Sequence, residues 1–121
     1  VKFYANDLAF HNYLYRGFGY GDGYLLENAV YMEMRRQGFD LYVGNIDDRE
    51  VDFVGIRGDR RVYIQVTYSL TSKETARREY SSLEVISDNF EKYVVTLDDY
   101  PQPSNNGIRN IQAWQLDEVL S

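Results

Sequence analysis

Two β-strands joined by a tight turn are predicted by residues 50–68, EVDFVGIRGDRRVYIQVTY. Both halves are rich in Val, Ile, Phe and Tyr, which favour extended backbone. Gly58 and Asp59 stand between the halves and are typical of a hairpin turn. We therefore expect strands over 50–56 and 61–68, paired antiparallel.

A helix and a strand are predicted before this hairpin. Residues 24–37 have the pattern of a helix, with Asp22 before its start and Gly38 as the C-terminal cap. A strand over 39–45 follows, and a turn over 45–48 leads into the hairpin.

A second helix is predicted after the hairpin. Thr71 and Glu74 have the spacing of a capping box, and Ala76, Tyr80 and Leu83 give one buried stripe. The rest of the chain is predicted as a strand over 93–97, a loop over 98–107, a strand over 108–113 and a helical segment over 114–120. This order predicts an α/β fold, a mixed β-sheet flanked by helices.

Length and composition limit the class of protein. A chain of 121 residues fits a single domain over 1–121, and 44% hydrophobic residues are typical of a globular one. The sequence has no cysteine and one histidine, His11, which excludes a disulfide framework, a zinc finger and a multi-histidine metal site. No apolar run approaches the roughly 20 residues of a membrane span, so we expect no membrane partner and a cytoplasmic location.

The net charge of −6 does not favour nucleic acid as a partner. Such a contact would need a metal ion or a local basic patch. Arg60, Arg61, Arg77 and Arg78 could supply a patch, although a solvated face is the simpler interpretation.

Three polar side chains are candidates for a metal site. Glu27 lies on the border of the apolar arc of the first helix, and Asp52 shares strand parity with Val54 and Ile56. Gln65 lies on the next strand and comes close to Asp52 across the hairpin. Oxygen ligands of this kind suit Mg²⁺, which can lower the pKa of bound water and neutralise charge on a phosphodiester.

Three motifs carry a family resemblance: LENAVY at 26–31, EVDFV at 50–54 and IQVTYS at 64–69. Together they resemble the restriction-endonuclease-like fold, the PD-(D/E)XK nuclease superfamily. Within it they are most similar to a domain of unknown function found C-terminal to many bacterial and archaeal AAA-type ATPases. The resemblance covers the chain from about Tyr4 to its end.

The resemblance implies a role for each candidate. Glu27 matches the helix acid, Asp52 the central metal-binding aspartate, and Gln65 a second ligand where Asp or Glu is usual. Thr67 stands where active members have lysine, and Lys73 is the nearest candidate for a migrated one. The chain would then be the C-terminal part of a larger protein, with an ATPase and a winged-helix segment upstream; Val1 at its start agrees with a fragment.

Each candidate also has a purely structural interpretation. Glu27 could favour the helix dipole, and Glu33 lies deeper in the same apolar arc. Asp52 could form a buried salt bridge with Arg35, while Gln65 and Thr67 could be hydrogen-bonding strand residues.

Three functions follow from these alternatives. The first is a nuclease-like module without catalysis that acts in recognition or regulation of an ATPase. The second is an active Mg²⁺-dependent endonuclease that uses Glu27, Asp52 and Gln65 and tolerates Thr67 at the fourth catalytic position. The third is an α/β protein-interaction domain without a metal site.

The first twenty residues are rich in aromatic side chains and glycine. A short helix over 6–15 and a glycine loop are predicted there. Tyr13, Tyr15, Phe18 and Tyr20 could form an aromatic patch on which the upstream domain docks.

Overall fold

The computed structural model describes residues 2–3, 22–46, 49–103 and 106–121. Its six-stranded sheet consists of β1 (Lys2–Phe3), β2 (Asp40–Ile46), β3 (Arg49–Arg57), β4 (Arg60–Val66), β5 (Glu91–Thr96) and β6 (Ile108–Gln112). Its helices are α1 (Asp22–Arg36), α2 (Lys73–Glu84) and α3 (Leu116–Leu120), with a 3₁₀ turn over Ala113–Gln115 before α3. The predicted helix over 6–15 and the predicted aromatic patch lie outside the described residues.

The sheet is mixed, and its spatial order equals the chain order. Strands β1 to β4 pair antiparallel, whereas β5 is parallel to β4 and β6 is parallel to β5. The parallel pairing of β4 with β5 requires a crossover, and α2 supplies it. The predicted α/β fold with a mixed sheet is confirmed.

Apolar residues fill both faces of the sheet. The cluster that includes α1 and α3 contains Leu26, Val30, Tyr31, Met34, Phe39, Leu41, Phe53, Val62, Ile64, Val66, Tyr93, Val95, Ile111, Leu116 and Leu120. The cluster that includes α2 contains Val51, Val54, Tyr63, Leu70, Tyr80, Leu83, Ile86, Val94 and Ile108. Helix α1 approaches the sheet closely at Gly55, where a β-carbon would lie 2.5 Å from Met34 Cε.

The local turn signals are confirmed where the structure describes them. Gly58 has a φ of +60° in the two-residue turn between Arg57 and Arg60. Gly38 has a φ of +86° after α1, and its N–H donates to the Arg35 carbonyl. Both conformations favour glycine because a side chain is strained there.

The predicted capping box of α2 is wrong. With Thr71 as the cap, the helix would begin at Ser72, but it begins at Lys73. The cap is Ser72, whose hydroxyl accepts the hydrogen bond from the Thr75 N–H at 3.4 Å. Thr71 instead interacts with Ser69, whose hydroxyl lies 3.0 Å from its own. Two neighbouring hydroxyl residues compete for the cap, and sequence spacing alone does not distinguish them.

In the part of the chain that the structure describes, no helix is long and apolar enough to cross a membrane.

One buried hydroxyl gives a stability prediction. Tyr80 is 6% exposed, and its hydroxyl has no hydrogen-bond partner among the described residues; burial raises its pKa. We expect Tyr80→Phe to leave the free energy of unfolding unchanged or to raise it by up to about 1 kcal/mol, because a buried unpaired group is costly. Urea denaturation measures this free energy.

Tyr63→Phe is the matched control. The Tyr63 hydroxyl donates to Asp88 Oδ2 at 2.6 Å, so its removal should lower the free energy of unfolding by about 1–2 kcal/mol. A loss above 1 kcal/mol for Tyr80→Phe would mean that the Tyr80 hydroxyl has a partner.

Candidate functional site

The antiparallel ladder between β3 and β4 ends before the strands do. Its last pair is Phe53 with Ile64, although β3 extends back to Arg49 and β4 continues to Val66. Backbone groups beyond a ladder need other partners when they are buried. Here the side chains of the two strands supply them.

Asp52 and Gln65 each bond to the backbone of the opposite strand. Asp52 Oδ2 accepts a hydrogen bond from the Val66 N–H at 2.8 Å, and Gln65 Oε1 accepts one from the Asp52 N–H at 2.6 Å. The two residues are only 8% and 4% exposed. The hairpin therefore brings Asp52 and Gln65 together, as the sequence predicts, and we call this pair the strand fork.

A β-bulge lies beside the strand fork, where β3 pairs with β2. Tyr42 pairs with Val54 and Gly44 with Val51, so two residues of β3 oppose the single Val43. As a result, Val51 and Val54 belong to the same apolar cluster, and Phe53 belongs to the other. The bulge breaks the strict alternation on which the sequence prediction for Asp52 rested.

Helix α2 adds an acid to the fork. Gln65 Nε2 donates to Glu79 Oε2 at 3.4 Å, and the Glu79 side chain is 13% exposed. Sequence reasoning missed Glu79. The helical spacing could have indicated it, because Glu79 stands three residues after Ala76 and four before Leu83, on the border of the buried stripe.

The other predicted site residues are placed as follows. Glu27 is half-buried on α1, which packs on the face of the sheet that carries Phe53 and Ile64. Thr67 is half-buried directly after β4, and its N–H donates to the Val95 carbonyl. Lys73 is exposed at the first position of α2. The structure joins Asp52 to Gln65; that Glu27 completes a site with them stays a prediction.

A hard cation fits this donor set poorly. Among the described residues, no three histidine or acidic side chains are grouped so that they could hold a metal ion. The expected ligand oxygen of Gln65 accepts the Asp52 N–H, and one Asp52 oxygen accepts the Val66 N–H. An ion would have to compete with these buried bonds.

The charged side chains of α1 that the sequence analysis considered, Glu33 and Arg35, contact neighbouring groups of the chain. Arg36 donates to both carboxylate oxygens of Glu33 at 2.7 and 2.6 Å, and this bonding lowers the pKa of Glu33. Arg35 donates to the Phe39 carbonyl and lies 3.9 Å from an Asp40 oxygen. The acid in the apolar arc of α1 is thus neutralised within its own helix.

Three of the four arginines considered for a basic patch contact other groups of the domain. Arg60 donates to Glu91 at 2.7 Å and to the Val119 carbonyl at 2.6 Å, and so ties α3 to the sheet. Arg61 lies 4.7 Å from the centre of the Phe90 ring. Arg78 lies 3.6 Å from Glu79, and Arg77 is exposed.

A second polar cluster lies at the start of β5. The Lys92 ammonium donates to Asp88 Oδ1 at 3.0 Å, to the Asp88 carbonyl at 2.7 Å and to the Phe90 carbonyl at 3.0 Å. The Lys92 side chain is 9% exposed. Burial alone would raise the pKa of Asp88, but hydrogen bonds from Tyr63 and Lys92 hold that pKa below its usual value.

A cavity of about 470 Å³ adjoins this cluster and is lined by Leu83, Asp88, Phe90, Lys92 and Ile108, among others. All three ammonium hydrogens of Lys92 have acceptors within the connection before β5. Lys92 therefore holds this connection in place.

Comparisons with known proteins place the chain in a family. Residues 22–116 match the domain of unknown function DUF4143. An uncharacterised protein of Haemophilus influenzae is 33% identical over 93 residues, which cover 75% of this chain and 22% of that protein. An uncharacterised protein of Methanocaldococcus jannaschii is 34% identical over 90 residues, which cover 68% of this chain and 20% of that protein. The chain spans about a fifth of the length of these curated relatives, and it belongs to the DUF4143 family.

Proposed function

We propose that this domain is a nuclease-like module of the PD-(D/E)XK type that has lost phosphodiester cleavage. It acts in recognition or regulation within a longer AAA-type ATPase. Such a module would work in the cytoplasm, where ATP is available. The net charge of −6 makes a protein surface a better target than nucleic acid.

The strand fork is the observation that carries this proposal. In a working metal site, carboxylate and amide oxygens must be available to the ion. Here Oδ2 of Asp52 and Oε1 of Gln65 accept backbone N–H groups in a buried environment. These bonds favour a structural role for the two residues over metal binding.

Thr67 and Lys92 support the same conclusion. Cleavage of a phosphodiester requires stabilisation of the charge that develops in the transition state. Thr67 offers a neutral hydroxyl where a cation is expected, and Lys92 is held by Asp88 and Phe90. The length of the curated relatives supports a module of a larger protein.

A metal titration and a cleavage assay test the proposal. In calorimetry with Mn²⁺ and with Mg²⁺, we expect Asp52→Ala to bind each ion no more weakly than the wild type does. We also expect no cleavage of double-stranded DNA, single-stranded DNA or RNA. Asp59→Ala, in the exposed turn between β3 and β4, is the control for nonspecific effects of lost charge.

Metal-dependent cleavage that Asp52→Ala abolishes and Asp59→Ala preserves would overturn the proposal. The active endonuclease would then replace it, with Asp52 as a metal ligand.

A further inference from the structure

A large apolar side chain is exposed beside the helices α1 and α3. Trp114, in the 3₁₀ turn before α3, is 58% exposed. Trp114 lines a groove of about 300 Å³ between the two helical segments, together with Ala29 and Arg36.

The groove combines small apolar walls with an acidic rim. Ala29 and Ala113 lie beside Trp114, which leaves room for an inserted side chain. Glu33 and Arg36 neutralise each other through a contact of 2.6 Å. We call this surface, formed by Ala29, Glu33, Arg36, Ala113, Trp114 and Asp117, the Trp114 groove.

The charges at the rim favour a basic occupant. Asp117 lines the groove, and Glu118 follows it; both are exposed. Arg36 is bonded to Glu33 and also attracts Asp117. This one positive charge balances only part of the charge of Glu33, Asp117 and Glu118, so the rim keeps an excess of negative charge. A Lys or Arg beside the inserted side chain would complement this rim.

We propose that the Trp114 groove is the docking surface for another segment of the same longer polypeptide, one that presents an apolar side chain next to a Lys or Arg. This inference rests on the proposed function, in which the domain is a module of a larger protein. The curated relatives are about five times longer than the part that this chain matches. A covalently linked segment is present at high effective concentration, so a modest surface suffices to hold it.

The side chains of the groove are suited to such a contact. Tryptophan is among the residues that contribute most to binding at interfaces. Pairing with a second copy of the domain is less favourable, because a symmetric contact would bring both sets of Asp117 and Glu118 carboxylates together.

Hydrogen exchange of the full-length protein tests the proposal. We expect Trp114→Glu to increase exchange about tenfold in peptides from α1 and in one segment outside the domain, because docking protects both. Tyr100→Glu is the matched control, since Tyr100 is an aromatic residue that is 83% exposed and does not line the Trp114 groove. It should leave exchange unchanged.

A photo-cross-link gives a second readout. Trp114→p-benzoylphenylalanine should cross-link to the same outside segment, within one molecule and at any protein concentration. Exchange that is identical in the wild type and Trp114→Glu would overturn the proposal. So would protection or cross-linking that rises with protein concentration, which would identify a second copy. Metal-dependent cleavage would refute the proposed function but would not change these readouts.

Discussion

Replacement of Lys92 by methionine is expected to lower the free energy of unfolding by about 3 kcal/mol. Lys92 is buried, and its ammonium bonds to the Asp88 carboxylate and to the carbonyl groups of Asp88 and Phe90. Methionine preserves the length of the side chain but leaves these acceptors unpaired. The Asp88 side chain is 29% exposed, so the loss falls at the lower end of the range for a buried ion pair. Chemical denaturation at neutral pH measures the change.

Lys73→Met is the matched control for Lys92→Met. Lys73 is exposed at the start of α2, and its replacement should change the free energy of unfolding by at most about 0.5 kcal/mol. Equal effects of the two substitutions would show that the Lys92 contacts do not stabilise the fold.

The pH dependence of the same variant provides an independent check. The folded-state pKa of Asp88 is lowered, so the stability that Asp88 contributes is present above its unfolded-state pKa of about 3.9. It is lost as the pH falls through the lower, folded-state pKa. The stability difference between the wild type and Lys92→Met should therefore be constant near neutral pH and shrink in this acidic range.

Asp52→Ala is expected to lower the free energy of unfolding by about 2–3 kcal/mol. Its carboxylate accepts the Val66 N–H at 2.8 Å in a buried position. Alanine removes this charge-assisted bond and leaves the N–H without an acceptor. Urea denaturation measures the loss, and exchange of the Val66 amide hydrogen should become faster in the variant.

Asp52→Asn separates the hydrogen bond from the charge. The asparagine carbonyl oxygen can still accept the Val66 N–H, so we expect a loss of only about 1 kcal/mol. If Asp52→Ala were as stable as the wild type or more stable, the carboxylate would not contribute to the stability of the fold. That result would favour the endonuclease alternative.

The order and type of most elements were predictable because their signals are local. Gly38 ends α1, Gly58 forms the turn, and β-branched residues fill β3 and β4. Each of these signals acts within a few residues of chain. The choice between Thr71 and Ser72 as the cap of α2 was not predictable, since both satisfy the same local rule.

The candidate site was predictable only in part. The spacing of Asp52 and Gln65 about the hairpin turn places them on neighbouring strands, and the structure brings them into contact. The part played by Glu79 depends on how α2 packs against β4. That packing is set by contacts between residues distant in sequence, which no local pattern encodes.

The sequence by itself determined which residues are extended, which are helical, and which acid and amide meet across the hairpin. Only the tertiary structure decided how their atoms are used. The ladder of β3 and β4 ends at Phe53 and Ile64, and a bulge shifts the register beside Val43. Asp52 and Gln65 therefore bond to buried backbone N–H groups, because such groups require partners once the strands separate.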